Sequence, residues 1–180
     1  MSEDAVGVLL AAGAGRRYGS PKVLAHGGDW LDIAVRALLD GGCEKVLVVL
    51  GAADAPMPAG ASAVEALDWA SGMSASLKAG LSAAGDADFA VLHVVDTPDV
   101  GSEVVRAVLA AARSCASGIA RAMFDGSPGH PVVLARRHWE EVMCASTGDK
   151  GAREFLRGRN DVVVVECSQW ATGVDHDYRS

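Results

Sequence analysis

The sequence lacks a basic excess, a long apolar run and any paired cysteine motif. Lys and Arg number 16 against 23 Asp and Glu in 180 residues, for a formal net charge of −7. A chain this acidic has no bulk attraction for nucleic acid or for an anionic membrane surface. Its longest apolar runs, residues 5–12 and 46–50, fall far short of the ~20 residues that a membrane-spanning helix needs. The chain opens on Ser2, Glu3 and Asp4 rather than on a basic region and an apolar stretch, so no secretory signal is expected. The four cysteines, Cys43, Cys115, Cys144 and Cys167, form no C-x-x-C and no Cys/His pair at zinc spacing. They read as reduced thiols of a cytoplasmic protein. No internal repeat or low-complexity linker divides the chain, and one domain over residues 1–180 is expected.

What is present is a globular composition. Half of the residues are hydrophobic and 22% are charged, enough for a proper core at this length. Residues 5–11 (AVGVLLA), 45–50 (KVLVVL) and 89–95 (FAVLHVV) are near-continuous apolar runs and read as buried parallel strands. Leu31, Ala34, Val35, Leu38 and Leu39 recur at helical spacing over 30–40, and Gly41-Gly42 supplies a stop. Further helices are expected over 72–84, 102–114, 136–143 and 151–156, with Ser102 as an N-cap. Shorter strands are expected at 63–66, 119–124, 131–134 and 161–165. Strands alternating with helices specify an α/β protein with a mostly parallel central sheet.

The most informative segment is Ala11-Ala-Gly-Ala-Gly-Arg-Arg-Tyr-Gly-Ser-Pro-Lys22, which follows the first strand. It therefore sits at the carboxyl edge of the sheet, where open α/β sheets bind ligands. Gly13, Gly15 and Gly19 let the backbone approach a ligand, and Arg16, Arg17 and Lys22 bring positive charge. Together these describe a polyphosphate cradle. It is not a P-loop, since Gly19 precedes Ser-Pro and Lys22 precedes Val23. Nor is it the G-x-G-x-x-G dinucleotide fingerprint, because the third glycine comes one position late. The bland alternative is a glycine-rich turn carrying exposed cations.

The stretch LLAAGAGRRYGSPKVL resembles the L-A-A-G-x-G/S-x-R-x-G-x-P-K signature of MobA-like nucleotidyltransferases, with Arg17 and Lys22 on its arginine and lysine. Gly72-Met-Ser74-Ala-Ser76-Leu-Lys-Ala-Gly80 resembles the G-x-x-x-S-L-x-x-G segment of the molybdenum cofactor cytidylyltransferase branch. Asp96-Thr97-Pro98 is similar to the family's metal-binding turn, Gly129-His130-Pro131 to its G-H-P, and residues 148–153 to its G-D-x-G-A-R. Asp175 best matches the second Asp of a late D-x-D-T-P-E-D segment. Ala-Ala-Gly at 11–13 and Pro21-Lys22 resemble the cytidylyl-transferring members more than the guanylyltransferases.

The resemblance implies a Rossmann-like three-layer α/β/α sandwich and a Mg²⁺-dependent transfer of a nucleotidyl group, CMP from CTP, to a molybdopterin-type phosphate acceptor. It places Leu10, Ala11, Ala12, Gly13, Ala14, Gly15, Arg16, Arg17, Lys22 and Ser74 at the nucleotide, with Arg16 on a variable position. Lys22 and Arg17 would stabilise charge in the transition state. Asp96 and Asp175 would hold the metal, and His130 would border the acceptor. A molybdoenzyme or its maturation factor would be the protein partner, with no nucleic acid or membrane partner.

Each residue also has a plainer reading. Asp96 before Thr-Pro suits a turn, Asp175 and Asp177 a solvated tail, and Ser74 and Ser76 a helix face. His130 suits a structural turn, and Asp149 a cap for the helix after it. Two departures from the family pattern stand out. Val95 occupies a position where glycine is frequent, and the late segment is reduced to Gly173-Val-Asp175-His-Asp177-Tyr. These are compatible with an altered acceptor, such as a sugar, polyol or phospholactate-type phosphate. They are also compatible with a non-catalytic carrier of a nucleotide or pterin.

Overall fold

The computed structural model describes residues 3–178. The three apolar runs form β1 (Ala5–Leu10), β2 (Lys45–Leu50) and β4 (Phe89–Val94), and they sit side by side. Every residue of β1 and β4 is buried, as a strand covered on both faces requires. Four further strands complete the sheet: β3 (Ala61–Glu65), β5 (Ile119–Phe124), β6 (Ser127–Ala135) and β7 (Val163–Glu166). The order is β3-β2-β1-β4-β6-β5-β7, with β6 alone antiparallel to its neighbours.

Helices cover both faces, giving three layers. On one side α1 (Asp29–Asp40) and α3 (Ser102–Ser114) pack with Leu9, Val48 and Val91. On the other, α2 (Met73–Ala83), α4 (Trp139–Ala145) and α5 (Arg153–Leu156) pack with Val8, Val49 and Leu92. The alternation of β1 between Val8 and Leu9 thus feeds two separate cores. Helix α1 buries Trp30, Leu31, Ala34, Val35, Ala37 and Leu38, while Asp29 and Asp32 favour its N-terminal dipole. Leu38 alone, fully buried, contributes about 2 kcal/mol of transfer free energy. Among the described residues, no helix is long and apolar enough to cross a membrane.

Several boundaries differ from expectation. Strand β6 begins at Ser127 rather than residue 131, because polar Ser127-Pro-Gly-His130 continues the hairpin beyond its apolar half. Strand β3 starts two residues early, at a sheet edge where no residue is fully buried and periodicity is weak. Residues Arg136–His138 form a 3-10 turn before α4, and the helix at 151–156 shrinks to α5. Ser102 is the first helical residue instead of the cap; Gly101 takes that place and no side chain caps it. Asp149 likewise caps nothing, since α5 starts only at Arg153 with Ala152 before it. A 3-10 segment at Lys22–Gly28, kinked where His26 and Gly27 turn left-handed, had no periodic signal.

The sheet order positions the site. β1 and β4 are adjacent and parallel, with Leu10 opposite Val94, although their segments are far apart in sequence. Here the strand order reverses, and the loops after both strands open at the same carboxyl edge.

Candidate functional site

The loop after β1 is shaped by its own backbone. Gly15 has φ +62°, and a Cβ there would overlap the carbonyl oxygen of Ser20. Any other residue would therefore meet both left-handed strain and a backbone collision. The Gly19 N–H donates to the Gly15 carbonyl at 2.8 Å and closes the turn. Tyr18 is buried beneath it, its ring 5.4 Å from Trp30 of α1, with its hydroxyl 3.4 Å from His26 Nε2. Leu10, Ala11 and Ala12 are buried, and the Ala11 N–H and Ala12 carbonyl already extend the pairing toward Val49 and Ala52. Gly13, Ala14 and Gly15 have surface to offer, and Arg16 and Arg17 are exposed.

Lys22 projects from the end of this loop into a group of carboxylates. Its Nζ lies 2.6 Å from Asp96 Oδ2 and 3.0 Å from Asp177 Oδ1. Arg17 Nη1 reaches Asp177 Oδ2 at 3.5 Å. Burial alone would lower the Lys22 pKa, but the paired carboxylates Asp96 and Asp177 outweigh it and hold the ammonium above its ordinary value. Lys22 therefore stays a permanent cation.

The chain's tail supplies the other half. Asp96, Asp175 and Asp177 each present an oxygen within 4.8 Å of the others. The tail is fixed by the His176 N–H, which donates to the Asp96 carbonyl at 3.0 Å, and by the His176 ring, 5.3 Å from Trp30. Upstream, the N–H and hydroxyl of Thr172 donate to Asp99 Oδ2 at 2.7 and 2.5 Å. Three carboxylates offering only hard oxygen donors, balanced by neighbouring cations, fit Mg²⁺ or Mn²⁺.

Of the residues singled out in the sequence, the structure brings together Arg17, Lys22, Asp96 and Asp175. Part-buried His130 stands beside them at the same edge. Burial and the charge of Arg121 push its pKa down to about 4, against the opposing pull of Asp175, so it is neutral at pH 7. Ser74 sits in the first turn of α2. Its N–H donates to the Gly148 carbonyl at 2.9 Å, and its buried hydroxyl has no partner among the described residues. It borders a groove of about 610 Å³ with Asp68, Lys78 and Thr147. Gly72, at φ +113°, touches Gly148 and Asp149 so closely that a side chain would collide with both. The segments beginning at 72 and 148 thus meet as one wall.

Sequence reasoning underrated Asp177. A solvated tail is its plainer reading in the sequence, yet its Oδ1 lies 3.0 Å from the Lys22 Nζ. The signal was its spacing, two residues from Asp175, which lets both carboxylates of an extended segment stay near one point. Trp30, Tyr18, His26 and His176 were also unmarked, though they join α1, loop and tail.

Residues 7–163 match the model of the MobA-like NTP transferase domain. Nicotine blue oxidoreductase of Paenarthrobacter nicotinovorans is 36% identical, over 95% of this chain and 91% of its own. The crystal structure of Rv0371c from Mycobacterium tuberculosis is 25% identical with TM-score 0.73, covering 93% of this chain and 89% of that one. That protein has also been solved in complex with manganese. A nucleotidyl transferase from Methanothermobacter thermautotrophicus shares the fold at TM-score 0.81 and 20% identity, over 98% and 93% of the two chains.

Proposed function

This chain belongs to the MobA-like NTP transferase family, and we propose that it moves CMP from CTP, with Mg²⁺, to a molybdopterin-type phosphate acceptor. The observation that carries this reading is the meeting of Lys22 and Arg17 with Asp96, Asp175 and Asp177 at one sheet edge. The choice of CTP rests on Ala-Ala-Gly at 11–13 and on Pro21-Lys22.

The reaction joins an acceptor phosphate oxygen to the α-phosphorus of CTP. The bond from that phosphorus to the bridging oxygen breaks, and pyrophosphate leaves with the electron pair. The acceptor is already ionised, so the protein needs position and charge more than a strong base. Gly13, Ala14 and Gly15 let the triphosphate approach the backbone. Lys22 and Arg17, which meet at Asp177, would stabilise the negative charge that gathers on the leaving group, and Arg16 would be a weaker contact. Their pairing with Asp177 keeps them oriented, and triphosphate oxygens would replace that carboxylate. Asp96, Asp175 and Asp177 would hold the Mg²⁺, which would supply neutralisation of phosphate charge. Ser74, with its unpartnered hydroxyl, would face the nucleotide from α2, and His130 would face the acceptor.

The test is pyrophosphate release from each NTP with Mg²⁺ and molybdenum cofactor. Release with CTP supports the reading, and silence with every NTP in folded protein contradicts it. A parallel screen of sugar and polyol phosphates fixes the acceptor class.

A second reading is favoured by one observation, the 36% identity to a protein named an oxidoreductase. In that reading the same loop holds the pyrophosphate of a reduced nicotinamide dinucleotide, and a hydride and a proton pass to a conjugated acceptor. Loss of NADH absorbance with a quinonoid dye, without pyrophosphate release, would select it.

A further inference from the structure

Beyond the carboxylates lies a second group of cations. Arg121 on β5 alternates with Ala120 and Ala122, which face the α1–α3 core. Its side chain therefore points to the opposite layer, which contains α5 and Arg153. Arg121 Nη2 donates to the Gly129 carbonyl at 3.2 Å, next to His130. Its Nε is buried and has no partner among the described residues. Among the described residues, neither Arg121 nor Arg153 makes an ion pair.

The two guanidinium groups repel, and neither has a carboxylate within ion-pair distance among the described residues. An anion placed there relieves the repulsion and gives the Nε its acceptor. The location is specific. Arg121 holds the Gly129 carbonyl beside His130, and His130 feels the charges of both Arg121 and Asp175, so the arginine group adjoins the metal-ligand carboxylates. A site that joins two polyanions needs cations on both flanks of its metal ligands.

We propose that Arg121 and Arg153, with His130, form the subsite for the anionic group of the acceptor, a phosphate monoester. The assignment rests on the nucleotidyl-transfer reading for its role, but the anion site itself can be examined separately. Arg121 acts as a planar, two-pronged donor whose orientation is set by Gly129. Arg153, exposed on a short helix, supplies the second cation.

The experiment follows arginine Nε–H resonances by NMR while inorganic phosphate is titrated in, with Mg²⁺ and CTP saturating. Arg121→Lys and Arg153→Lys assign the two signals. In the wild type both should shift together and saturate. Arg153→Gln should weaken phosphate binding about tenfold or more, the worth of one charge-assisted contact, and leave CTP affinity unchanged. Arg121→Gln should do the same; if it fails to fold, the exposed Arg153 variant still decides. The titration is repeated in Lys22→Ala, which disables the nucleotide side. Saturable phosphate shifts there, even with no CTP binding by wild type, would keep the anion site and remove nucleotidyl transfer. Phosphate that moves neither signal, or variants that lose CTP and phosphate in parallel, would overturn the assignment.

Discussion

The loop after β1 and the tail around residues 172–178 approach one another across the same site but are held in different ways. The loop is locked by backbone geometry, with Gly15 against Ser20, and by a buried tyrosine. The tail is held by separate contacts, Thr172 on Asp99, His176 on Asp96 and Trp30, and Asp177 on Lys22. The loop brings the cations and the tail brings two of the three carboxylates. The cationic half is therefore built into the chain's shape, whereas the anionic half depends on docking. Substitutions in the loop should damage the site itself, and substitutions in the tail should change how completely it assembles.

The largest effect should come from the groups that join the halves. Lys22→Ala and Asp96→Ala should each lower turnover by about 10²–10³-fold, measured as pyrophosphate release, because each acts on transition-state charge. Gly15→Ala should come next. The left-handed backbone alone costs about 1–3 kcal/mol, and the collision with Ser20 adds to it. A lower melting temperature together with lost CTP binding would be the result; an unchanged melt would show that the loop is not backbone-locked. Asp177→Asn should reduce turnover about tenfold and raise the Mg²⁺ concentration needed, since it removes one of three ligands and a loop–tail ion pair.

A smaller, pH-dependent effect belongs to the sheet below both halves. His93 on β4 is fully buried with neither ring nitrogen partnered among the described residues, and burial pushes its pKa down to about 3 from 6.5, with His130 adding to the shift once it is protonated. The unfolded chain takes up a proton below pH 6.5 while the native chain does not. Its contribution to stability is thus complete above pH 6.5 and is lost progressively as pH falls toward 3. Urea unfolding from pH 7 to 4 should show this acid slope, and His93→Gln should flatten it. The least effect is expected from Arg16→Ala, less than about threefold in CTP affinity, because Arg16 is exposed and makes no ion pair among the described residues.

The same contrast explains what could be read in advance. Buried strands such as β1, β2 and β4 are legible because burial on both faces forces unbroken apolar runs. The loop is legible because glycine, arginine and lysine spacing encodes backbone shape and charge locally. Residues Lys22–Gly28 were not legible, since their 3-10 turns rest on a kink and on packing against Trp30 rather than on periodicity. Asp177 and Arg121 were missed for a similar reason. Their significance comes from neighbours far away in sequence, Lys22 for the first and the Gly129–His130 edge for the second. A tail without regular structure carries no pattern that announces where it docks.

The central claim is that loop cations and tail carboxylates form one metal-dependent nucleotide site. Calorimetric titration of CTP with and without Mg²⁺, in wild type and in Asp177→Asn, tests it most directly. The account predicts that Mg²⁺ strengthens CTP binding to the wild type and that this gain shrinks in the variant. Equal CTP affinity with and without Mg²⁺, or a gain that Asp177→Asn leaves untouched, would contradict it.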